Sequence, residues 1–461
     1  MNKICLSGMK KDIKTVHFIG VGGISMSGLA EVLLKNGFNV AGSDAVESDI
    51  TKHLSGLGIK ISVPNAAENI NDDVDLVVFT AAVKPTNPEF MFAMKKNILM
   101  MERAELLGHI LKGYEHSICV AGTHGKTTTT SFMAEIALKA GLDPTISIGG
   151  HMGIDGSNYR VGNSPCFVLE ACEYSNSFHH WHPHVGIILN IDADHLDFFG
   201  SFDGVVDSFK KFAQNVKPGG VLVIQAGQEW LETVTGGLKT EVVTFGLKEG
   251  RFTPQNIEYD TFGLPSFDVL DSGKKVARIN LPMPGQYNML NALACFAAAD
   301  FLGVKPEVIA SALSQVKGVK RRFERKGVYN GAEIIDDYAH HPTEIEACLK
   351  AAQKFNKEVI CLFQPHTYTR TRNHLNEFAT SLSLADSILL LPIFAAREPF
   401  DPTISSEDIA KLLIRDKNNT TCFNNFETAL SHLRKTLTPN HMLITMGAGD
   451  VYKIGESLLS T

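Results

Sequence analysis

Residues 117–130 read SICVAGTHGKTTTT, and this stretch carries the strongest indication of the fold. The apolar run at its start predicts a buried strand, the glycines predict a turn, and helical spacing continues from about Thr127 to Ala140. A buried strand that passes through a glycine turn into a helix is the repeating unit of α/β proteins. The stretch therefore predicts an α/β fold with functional groups at a strand end.

The same turn predicts a site for the phosphates of ATP or GTP. Glycines let backbone N–H groups approach a phosphate, and the N-terminus of the following helix attracts the anion. Two residues separate Gly122 from Gly125, whereas the general P-loop pattern has four. We expect Lys126 to reach the β- and γ-phosphates, and a hydroxyl of Thr127 or Thr128 to bind Mg²⁺. The alternative is a plain glycine turn beside a solvated lysine. The predicted ATP-binding residues of this turn are Gly122, Thr123, Gly125, Lys126, Thr127 and Thr128.

Strands and helices alternate along almost the whole chain. The runs LVVF (76–79), GIIL (186–189) and SILLL (387–391) are apolar without a break, which is typical of parallel strands covered on both faces. A hairpin around Asp271-Ser272-Gly273 predicts that the middle region also contains antiparallel strands. We predict three domains: a Rossmann-like domain over 1–113, a central P-loop domain with a mixed sheet over 114–324, and a second Rossmann-like domain over 325–461.

Composition excludes several classes of protein. The 461 residues include 43 Lys plus Arg and 50 Asp plus Glu, so the formal net charge of −7 argues against a broad nucleic-acid-binding face. No apolar run approaches the ~20 residues of a membrane span, and the first residues lack the apolar core of an export signal. Eight cysteines without a CxxC pair favour reduced thiols. We expect a cytoplasmic protein with no nucleic-acid partner and no membrane insertion.

A second glycine turn, Gly20-Val21-Gly22-Gly23, follows a predicted strand and precedes a predicted helix. Asp44 ends the next strand, where a carboxylate can accept hydrogen bonds from a ribose. This arrangement favours a nucleotide or nucleotide-sugar site. A nicotinamide-dependent oxidoreductase is an alternative, but Ser25 stands where its fingerprint requires a third glycine. A tight turn that needs only glycine geometry is the other alternative.

Acidic and imidazole side chains follow two further predicted strands. Glu170-Ala171-Cys172-Glu173 follows one of them, and Asn190-Ile191-Asp192-Ala193-Asp194-His195 follows another. Because strand ends converge at one edge of a parallel sheet, Glu173 and His195 are candidates to hold Mg²⁺ beside a γ-phosphate. Ordinary surface polar groups are the alternative. We interpret the tract His179 to His184 as a surface segment that does not bind metal.

The last third of the chain carries a cationic and imidazole cluster. Its segments are Arg321-Arg322-Phe323, Asp336-Asp337-Tyr338 and the stretch QPHTYTRTR (364–372), each beside a predicted strand. Arginine and histidine side chains at strand ends suit anionic substrates. A solvated basic loop is the alternative.

Taken together and in order, these motifs resemble those of the Mur ligases, ATP-dependent enzymes that build the peptide of bacterial cell-wall precursors. The resemblance covers nearly the whole chain and rests on eight blocks: VHFIGVGGISMSGLAEVL, TAAVKPTNPEF, RAELLG, GTHGKTTTT, NIDADHLDFF, KRRFE, DDYAHHPTEI and QPHTYTRTR. It is strongest to the members that join L-alanine to the lactyl carboxylate of UDP-N-acetylmuramate. A recycling ligase that attaches a tripeptide to the same UDP sugar is the close alternative, and Tyr338, where that enzyme tends to carry Phe, favours alanine.

The resemblance implies a UDP-sugar site in the first domain, an ATP site in the second and an amino-acid site in the third. It implies that ATP converts the substrate carboxylate to an acyl phosphate, which the amine of L-alanine attacks through a tetrahedral intermediate. The products would be UDP-N-acetylmuramoyl-L-alanine, ADP and phosphate, made by a monomer or homodimer. The alternative in a different class is a nucleotide switch without catalysis, which leaves the last-third cluster without a task.

The resemblance also implies residue roles. The implied catalytic residues are Lys126, His124, Glu173, His195, His366 and Arg370. The implied metal ligands are Thr127, Glu173 and His195, and the further ATP contacts are Asn288, Asn291, Arg322 and Asp337. The implied UDP-sugar contacts are Gly22, Gly23, Ser43, Asp44, Arg103 and His124. The implied amino-acid contacts are Tyr338, His366 and Arg370.

The chain departs from the family pattern at several positions. Cys172 stands where Asp is usual beside Glu173, Thr367 where Arg is frequent, and Tyr287 where His is usual. Several sister ligases carry a carbamylated lysine about fifteen residues after the Asp-His pair. Phe209 fills that place here, and we predict that the adjacent Lys210 is not carbamylated.

Overall fold

The computed structural model describes residues 13–149, 158–260, 263–415 and 419–460. It contains three β-sheets with helices. The chain divides into two compact units. The first unit contains Met1–Thr253, Leu270–Ala277 and Asn291–Ala312, and the second contains Pro254–Val269, Arg278–Leu290 and Leu313–Thr461.

The first sheet has five parallel strands in the order β3-β2-β1-β4-β5. This order is typical of a Rossmann-like sheet, the type predicted for the start of the chain. Its apolar strands are buried because helices cover the sheet. The elements are β1 (Thr15–Ile19), α1 (Ile24–Lys35), β2 (Asn39–Ser43), α2 (Asp49–Gly56), β3 (Lys60–Ser62), β4 (Leu76–Phe79), α3 (Pro88–Lys95), β5 (Leu99–Glu102) and α4 (Arg103–Leu111), with a 3₁₀ turn at Ala67–Asn69.

The second sheet has ten strands in the order β15-β14-β13-β12-β11-β10-β6-β9-β7-β8. Strand β6 lies between β9 and β10 and is parallel to both, whereas β7 and β8 are antiparallel, so the predicted mixed sheet is confirmed. The predicted hairpin turn is Ser272-Gly273, between β14 and β15. The elements are β6 (His116–Ala121), α5 (Lys126–Lys139), β7 (Thr145–Ser147), β8 (Tyr159–Arg160), β9 (Cys166–Glu170), β10 (Val185–Ile188), α6 (Leu196–Phe199), α7 (Phe202–Gln214), β11 (Val221–Gln225), α8 (Leu231–Thr235), β12 (Glu241–Phe245), β13 (Phe252–Tyr259), β14 (Pro265–Asp271), β15 (Lys274–Asn280), α9 (Gln286–Phe301) and α10 (Pro306–Leu313), with a 3₁₀ segment at Tyr174–His180.

The third sheet lies in the second unit and has six strands in the order β16-β17-β21-β18-β19-β20. Only the edge pair β16 and β17 is antiparallel among its described pairings, so this sheet is also largely of the parallel type. The α/β fold class is therefore confirmed. In the described part of the chain, no helix is both long and apolar enough to cross a lipid bilayer. The elements are β16 (Glu324–Tyr329), β17 (Ala332–Asp337), α11 (Pro342–Ala352), β18 (Glu358–Phe363), α12 (Tyr368–Asn373), α13 (Leu375–Leu382), β19 (Ser387–Leu390), α14 (Ser406–Arg415), β20 (Thr420–Cys422), α15 (Phe426–Thr436), β21 (His441–Met446) and α16 (Tyr452–Leu459).

Within the first unit, helices of the first sheet pack closely against segments of the second. The indole Nε1 of Trp181 donates to the Ala104 carbonyl at 3.0 Å, and Lys35 Nζ donates to the Gly162 carbonyl at 3.1 Å. Gly28 of α1 faces the ring of Tyr159 so closely that a Cβ atom there would collide with the ring. The two sheets of this unit are thus joined by close packing that excludes side chains at Gly28.

We predict that Gly28→Ala destabilises the protein by about 1–3 kcal/mol, because the added methyl group overpacks a filled site. Gly56→Ala is the matched control, since Gly56 ends α2 with open space around the position of a Cβ atom. The urea midpoints of both variants measure the effect. Equal midpoints for Gly28→Ala and the wild type would contradict the packing described here.

Candidate active site

The turn between β6 and α5 is shaped by two glycines whose backbone conformations are rarely adopted by residues that carry a side chain. Gly122 has φ of 142° and Gly125 has φ of 84°. A Cβ atom on Gly125 would also lie 2.8 Å from the Asn291 side-chain oxygen. Gly125 is the N-cap of α5 and has no side chain to cap the helix, so the first N–H groups of α5 point outward without an intrahelical acceptor. The turn therefore has the backbone form of an anion site.

Lys126 is held across this turn by one ion pair and two carbonyl groups. Its Nζ lies 2.9 Å from Glu173 Oε2, and it donates to the carbonyls of Gly122 at 2.6 Å and Thr123 at 3.0 Å. Burial is the largest single influence and by itself lowers the pKa of Lys126, but the Glu173 carboxylate together with Cys172 and Glu170 outweighs it, and the pKa is raised. Lys126 is thus a charged ammonium group fixed at the mouth of the turn.

Glu170, rather than Glu173, lies against the predicted metal-binding hydroxyl. Thr127 Oγ1 is 3.1 and 3.0 Å from the two carboxylate oxygens of Glu170, which ends strand β9. The Gly149 amide donates to the same carboxylate at 2.7 Å. The two glutamates stand three residues apart in one motif, and their spacing does not indicate which of them faces α5. The structure therefore separates the tasks: Glu170 contacts Thr127, and Glu173 contacts Lys126.

A second group of polar residues follows β10, in the motif whose only candidate ligand from the sequence is His195. The Asn190 side chain accepts from the His124 amide at 2.8 Å and donates to the His124 carbonyl at 3.0 Å. The Asp192 amide donates to Thr123 Oγ1 at 2.9 Å, and the Asp192 carboxylate is 3.1 Å from His124 Nε2. These residues hold the turn from the side opposite β9. The rule that pointed to His195, polar residues just beyond a strand, applies equally to Asn190 and Asp192.

His195 has a left-handed backbone, with φ of 53°, at the start of α6. Its ring lies 4.9 Å from the Tyr174 ring, and its Nε2 is 3.8 Å from Asp194 Oδ2. The side chain is 29% exposed, so the imidazole is within reach of a ligand. Its described contacts are with these neighbours and not with Glu173.

The first glycine turn is bound to the end of β2. The amides of Gly20 and Val21 donate to the Ser43 carbonyl at 2.8 and 2.9 Å, and the Gly22 amide donates to Asp44 Oδ2 at 2.9 Å. Ser43 itself is fully buried, and its hydroxyl donates to Glu89 at 2.5 Å. The Ser43 side chain is therefore directed inward, because β2 is covered at that point. The resemblance implies instead that Ser43 contacts the UDP sugar.

Gly23 and Arg103 lie at the other side of the same turn. Gly23 is the N-cap of α1, and Arg103 Nη1 donates to Ser25 Oγ at 3.0 Å. Burial lowers the pKa of Arg103, and the nearby Glu102 carboxylate opposes this change. A partly buried guanidinium beside a glycine turn is suited to a diphosphate or carboxylate.

In the second unit, the predicted ATP contacts Arg322 and Asp337 lie beside Tyr338. The Asp337 carboxylate accepts from the amides of Phe323 and Ala339, both at 2.7 Å. Burial raises the pKa of Asp337 to about 6, with Arg322 opposing the rise. The Tyr338 ring lies 5.3 Å from the Arg322 guanidinium and 4.8 Å from that of Arg321. The carboxyl group thus ties the arginine segment to the end of β17.

The predicted amino-acid residues His366 and Arg370 are neighbours across one helical turn. His366 Nδ1 is 3.4 Å from Arg370 Nη1, and the His366 ring stacks on Phe394 at 5.7 Å. Burial and then the Arg370 charge lower the pKa of His366. Through His340, which lies 5.4 Å from Tyr338 and 5.7 Å from His366, the ring of Tyr338 belongs to the same cluster.

Several of the positions that depart from the family pattern make local contacts. Thr367 has φ of 66°, and its hydroxyl accepts from the Arg370 amide at 3.4 Å at the start of α12. The Tyr287 ring is packed so closely against Gly285 that a Cβ atom there would collide with it. Cys172 is exposed beside Glu173. Phe209 is fully buried and meets Phe178 edge-on at 5.3 Å, while the state of Lys210 stays a prediction.

The two asparagines predicted at the adenine side are three residues apart on α9. Asn288 is 1% exposed, and its side-chain amide donates to the Pro284 carbonyl at 2.7 Å. Asn291 belongs to the first unit and lies against Gly125. Only Asn291 is therefore placed beside the phosphate turn by a described contact.

The histidine tract 179–184 makes contacts of its own. His179 Nε2 lies 2.9 Å from the Ser208 carbonyl, and His184 Nδ1 lies 3.5 Å from His116 Nδ1. Neither of these two contacts involves the turn 122–128.

Comparison with known families covers most of the chain. The model described as "Mur ligase family, catalytic domain" matches residues 15–115, "Mur ligase middle domain" matches 120–299, and "Mur ligase, glutamate ligase domain" matches 321–449. A UDP-N-acetylmuramate–L-alanine ligase from Agathobacter rectalis is 48% identical over 447 residues, covering 96% of this chain and 97% of the relative. The chain belongs to the Mur ligase family.

Solved structures show the same relationship. A UDP-N-acetylmuramate-alanine ligase from Thermotoga maritima superposes with a TM-score of 0.78 at 30% identity, covering 97% of this chain and 98% of the other. A murein peptide ligase from Psychrobacter arcticus gives a TM-score of 0.67 at 25% identity, with the same coverage of both chains. The chain is thus more similar to the first of these two structures by both measures.

Proposed function

We propose that this chain is an ATP-dependent ligase that joins L-alanine to the lactyl carboxylate of UDP-N-acetylmuramate. The observation that carries the proposal is the turn 122–128. It has the backbone of a phosphate site, with Lys126 at its mouth and Glu170 against Thr127, in a chain that is 48% identical to an enzyme of that name. The product is a precursor of the peptidoglycan peptide.

The chemistry explains why a ligase needs such a turn. A carboxylate is a poor electrophile, and transfer of a phosphoryl group to it supplies a leaving group that the amine of L-alanine can displace. Phosphoryl transfer depends mainly on alignment and neutralisation of charge. The outward N–H groups of α5 bind and orient the phosphates, and the Lys126 ammonium neutralises charge at the β/γ position.

The residues around Thr127 fit a magnesium ion. The Thr127 hydroxyl and the Glu170 carboxylate are hard oxygen donors already within 3.1 Å of each other. Bound there, Mg²⁺ would neutralise phosphate charge. We therefore assign Thr127 and Glu170 to the ion, with His195 as a further candidate, and assign Glu173 to the charge and position of Lys126.

The remaining substrates are assigned by the local chemistry of each region. We assign the UDP sugar to residues 1–113, where Gly22, Asp44 and Arg103 surround the first glycine turn. ATP belongs to 114–324, and the amino acid to 325–461, where Tyr338, His366 and Arg370 form one cluster. Arginine side chains pair well with the carboxylate of an amino acid.

The competing function is ligation of a tripeptide to the same UDP sugar. The higher similarity to the alanine ligase of T. maritima than to the murein peptide ligase of P. arcticus favours L-alanine. Tyr338 points in the same direction. No observation favours the nicotinamide-dependent alternative over a ligase, because that alternative leaves the turn 122–128 unexplained.

The assignment predicts phosphate release from ATP and UDP-N-acetylmuramate when L-alanine is added, and much slower release with L-alanyl-γ-D-glutamyl-diaminopimelate. A coupled phosphate assay with the purified full-length protein measures both rates. Glycine and L-serine serve as controls for the size of the amino-acid pocket. Release with the tripeptide alone would replace L-alanine by the recycling substrate.

The separation of the two glutamates predicts different defects. Glu170→Gln should lower kcat by roughly 10²-fold or more and raise the Mg²⁺ concentration needed for half-maximal rate, because an oxygen ligand loses its charge. Glu173→Gln should lower kcat with a nearly normal Mg²⁺ requirement, because it removes the ion pair that holds Lys126 and leaves Glu170, the proposed Mg²⁺ ligand, in place. Steady-state rates over a Mg²⁺ series distinguish them. A shifted Mg²⁺ requirement in Glu173→Gln alone would reverse the two assignments.

A further inference from the structure

A carboxylate of helix α3 is buried against the first sheet, away from the phosphate turn that follows β6. Glu89 stands in the first turn of α3 and is 0% exposed. Its oxygens lie 3.1 Å from His17 Nε2, 2.5 Å from Ser43 Oγ, 2.7 Å from Asn69 Nδ2 and 3.1 Å from the Ala66 amide. Burying a charge is costly unless it is paired and hydrogen-bonded, so this group of contacts demands an explanation.

Charge and hydrogen bonding favour the ionised form of Glu89. Burial alone would raise its pKa, but the contacts with His17, Ser43 and Asn69 outweigh burial and lower the pKa below its usual value. Glu89 is therefore a carboxylate that accepts from four neighbours. A carboxylate used in this way fixes the positions of its donors.

Ser43 connects Glu89 to the first glycine turn. Its hydroxyl donates to Glu89, and its carbonyl accepts from the amides of Gly20 and Val21 at 2.8 and 2.9 Å. The next residue, Asp44, accepts from the Gly22 amide. A shift of Ser43 would therefore move the glycine turn and the Asp44 carboxylate together.

Asn69 and Ala66 connect Glu89 to a second segment, the loop after β3. Asn65 in the same loop donates to Ser43 Oγ at 2.8 Å, so this loop and the end of β2 share one hydrogen-bond network. Both segments follow the carboxyl ends of neighbouring parallel strands, where ligands of such sheets bind.

We propose that Glu89 is a positioning residue for the UDP-sugar site: from the first turn of α3 it holds the glycine turn, Asp44 and the loop 65–69 in the arrangement that receives the nucleotide. The proposal rests on the proposed function. It differs from plain core stabilisation, in which Glu89 would matter only for folding. The distinction is measurable because the ATP turn belongs to another sheet.

The test is Glu89→Gln in the full-length protein. The glutamine amide keeps the shape of the side chain, but its NH₂ group would face groups that now donate hydrogen bonds to Glu89, and the negative charge of the carboxylate is lost. We expect the KM for UDP-N-acetylmuramate to rise about tenfold, as for the loss of one charged hydrogen-bond group, with kcat and the KM for ATP within about twofold of wild type. Calorimetric titration with UDP alone should show the same loss of affinity.

Glu68→Gln is the matched control, because Glu68 is exposed in the same 3₁₀ turn as Asn69 and should leave all constants unchanged. Ser43→Ala is the second variant if Glu89→Gln fails to fold. It removes one donor and keeps Glu89, and we expect a rise of about threefold in the same KM.

Two results would overturn the proposal. A lower melting temperature in Glu89→Gln with an unchanged KM for the UDP sugar would assign Glu89 to folding alone. An unchanged KM in Ser43→Ala would break the connection to the glycine turn. Failure of the wild-type protein to bind UDP at all would instead contradict the proposed function, so the two failures are distinguishable.

Discussion

The turn between β6 and α5 must keep its backbone N–H groups directed outward before any phosphate arrives, and the rest of the site depends on that constraint. Two glycines with positive φ make the shape possible, and groups from both neighbouring strands maintain it. The Asn190 side chain bonds to both the amide and the carbonyl of His124, while Lys126 closes the turn through Glu173 and two carbonyls. A rigid turn loses little order on binding, which favours phosphate affinity and alignment.

In each compact unit, a buried carboxylate accepts hydrogen bonds from neighbouring segments of the chain and so connects them. In the first unit, Glu89 accepts from a strand, a loop and a 3₁₀ turn, and in the second, Asp337 accepts from the amides of Phe323 and Ala339. Each joins neighbouring segments near the carboxyl end of a strand, β2 for Glu89 and β17 for Asp337. Loops at such an edge have few apolar contacts of their own, so a buried acceptor is an effective way to order them.

Much of this structure follows from the sequence, and the remainder depends on tertiary contacts. The strand–turn–helix at 117–140, the hairpin at Ser272-Gly273 and the α/β class were predictable, because glycine placement and apolar runs are local properties. The choice between Glu170 and Glu173 was not, because both lie near the carboxyl end of β9 and only the packing of α5 selects one for Thr127. The inward direction of Ser43 likewise depends on Glu89, which lies 46 residues away in the chain.

The most direct test of the account is Lys126→Ala, because the phosphate role of the turn depends on that ammonium group. Phosphate release from ATP and binding of UDP-N-acetylmuramate are measured on the same full-length preparation. We expect release to fall by roughly 10²- to 10³-fold while the Kd for the UDP sugar changes little, since the two proposed sites lie on different sheets. Near-normal phosphate release by this variant would contradict the assignment of the turn.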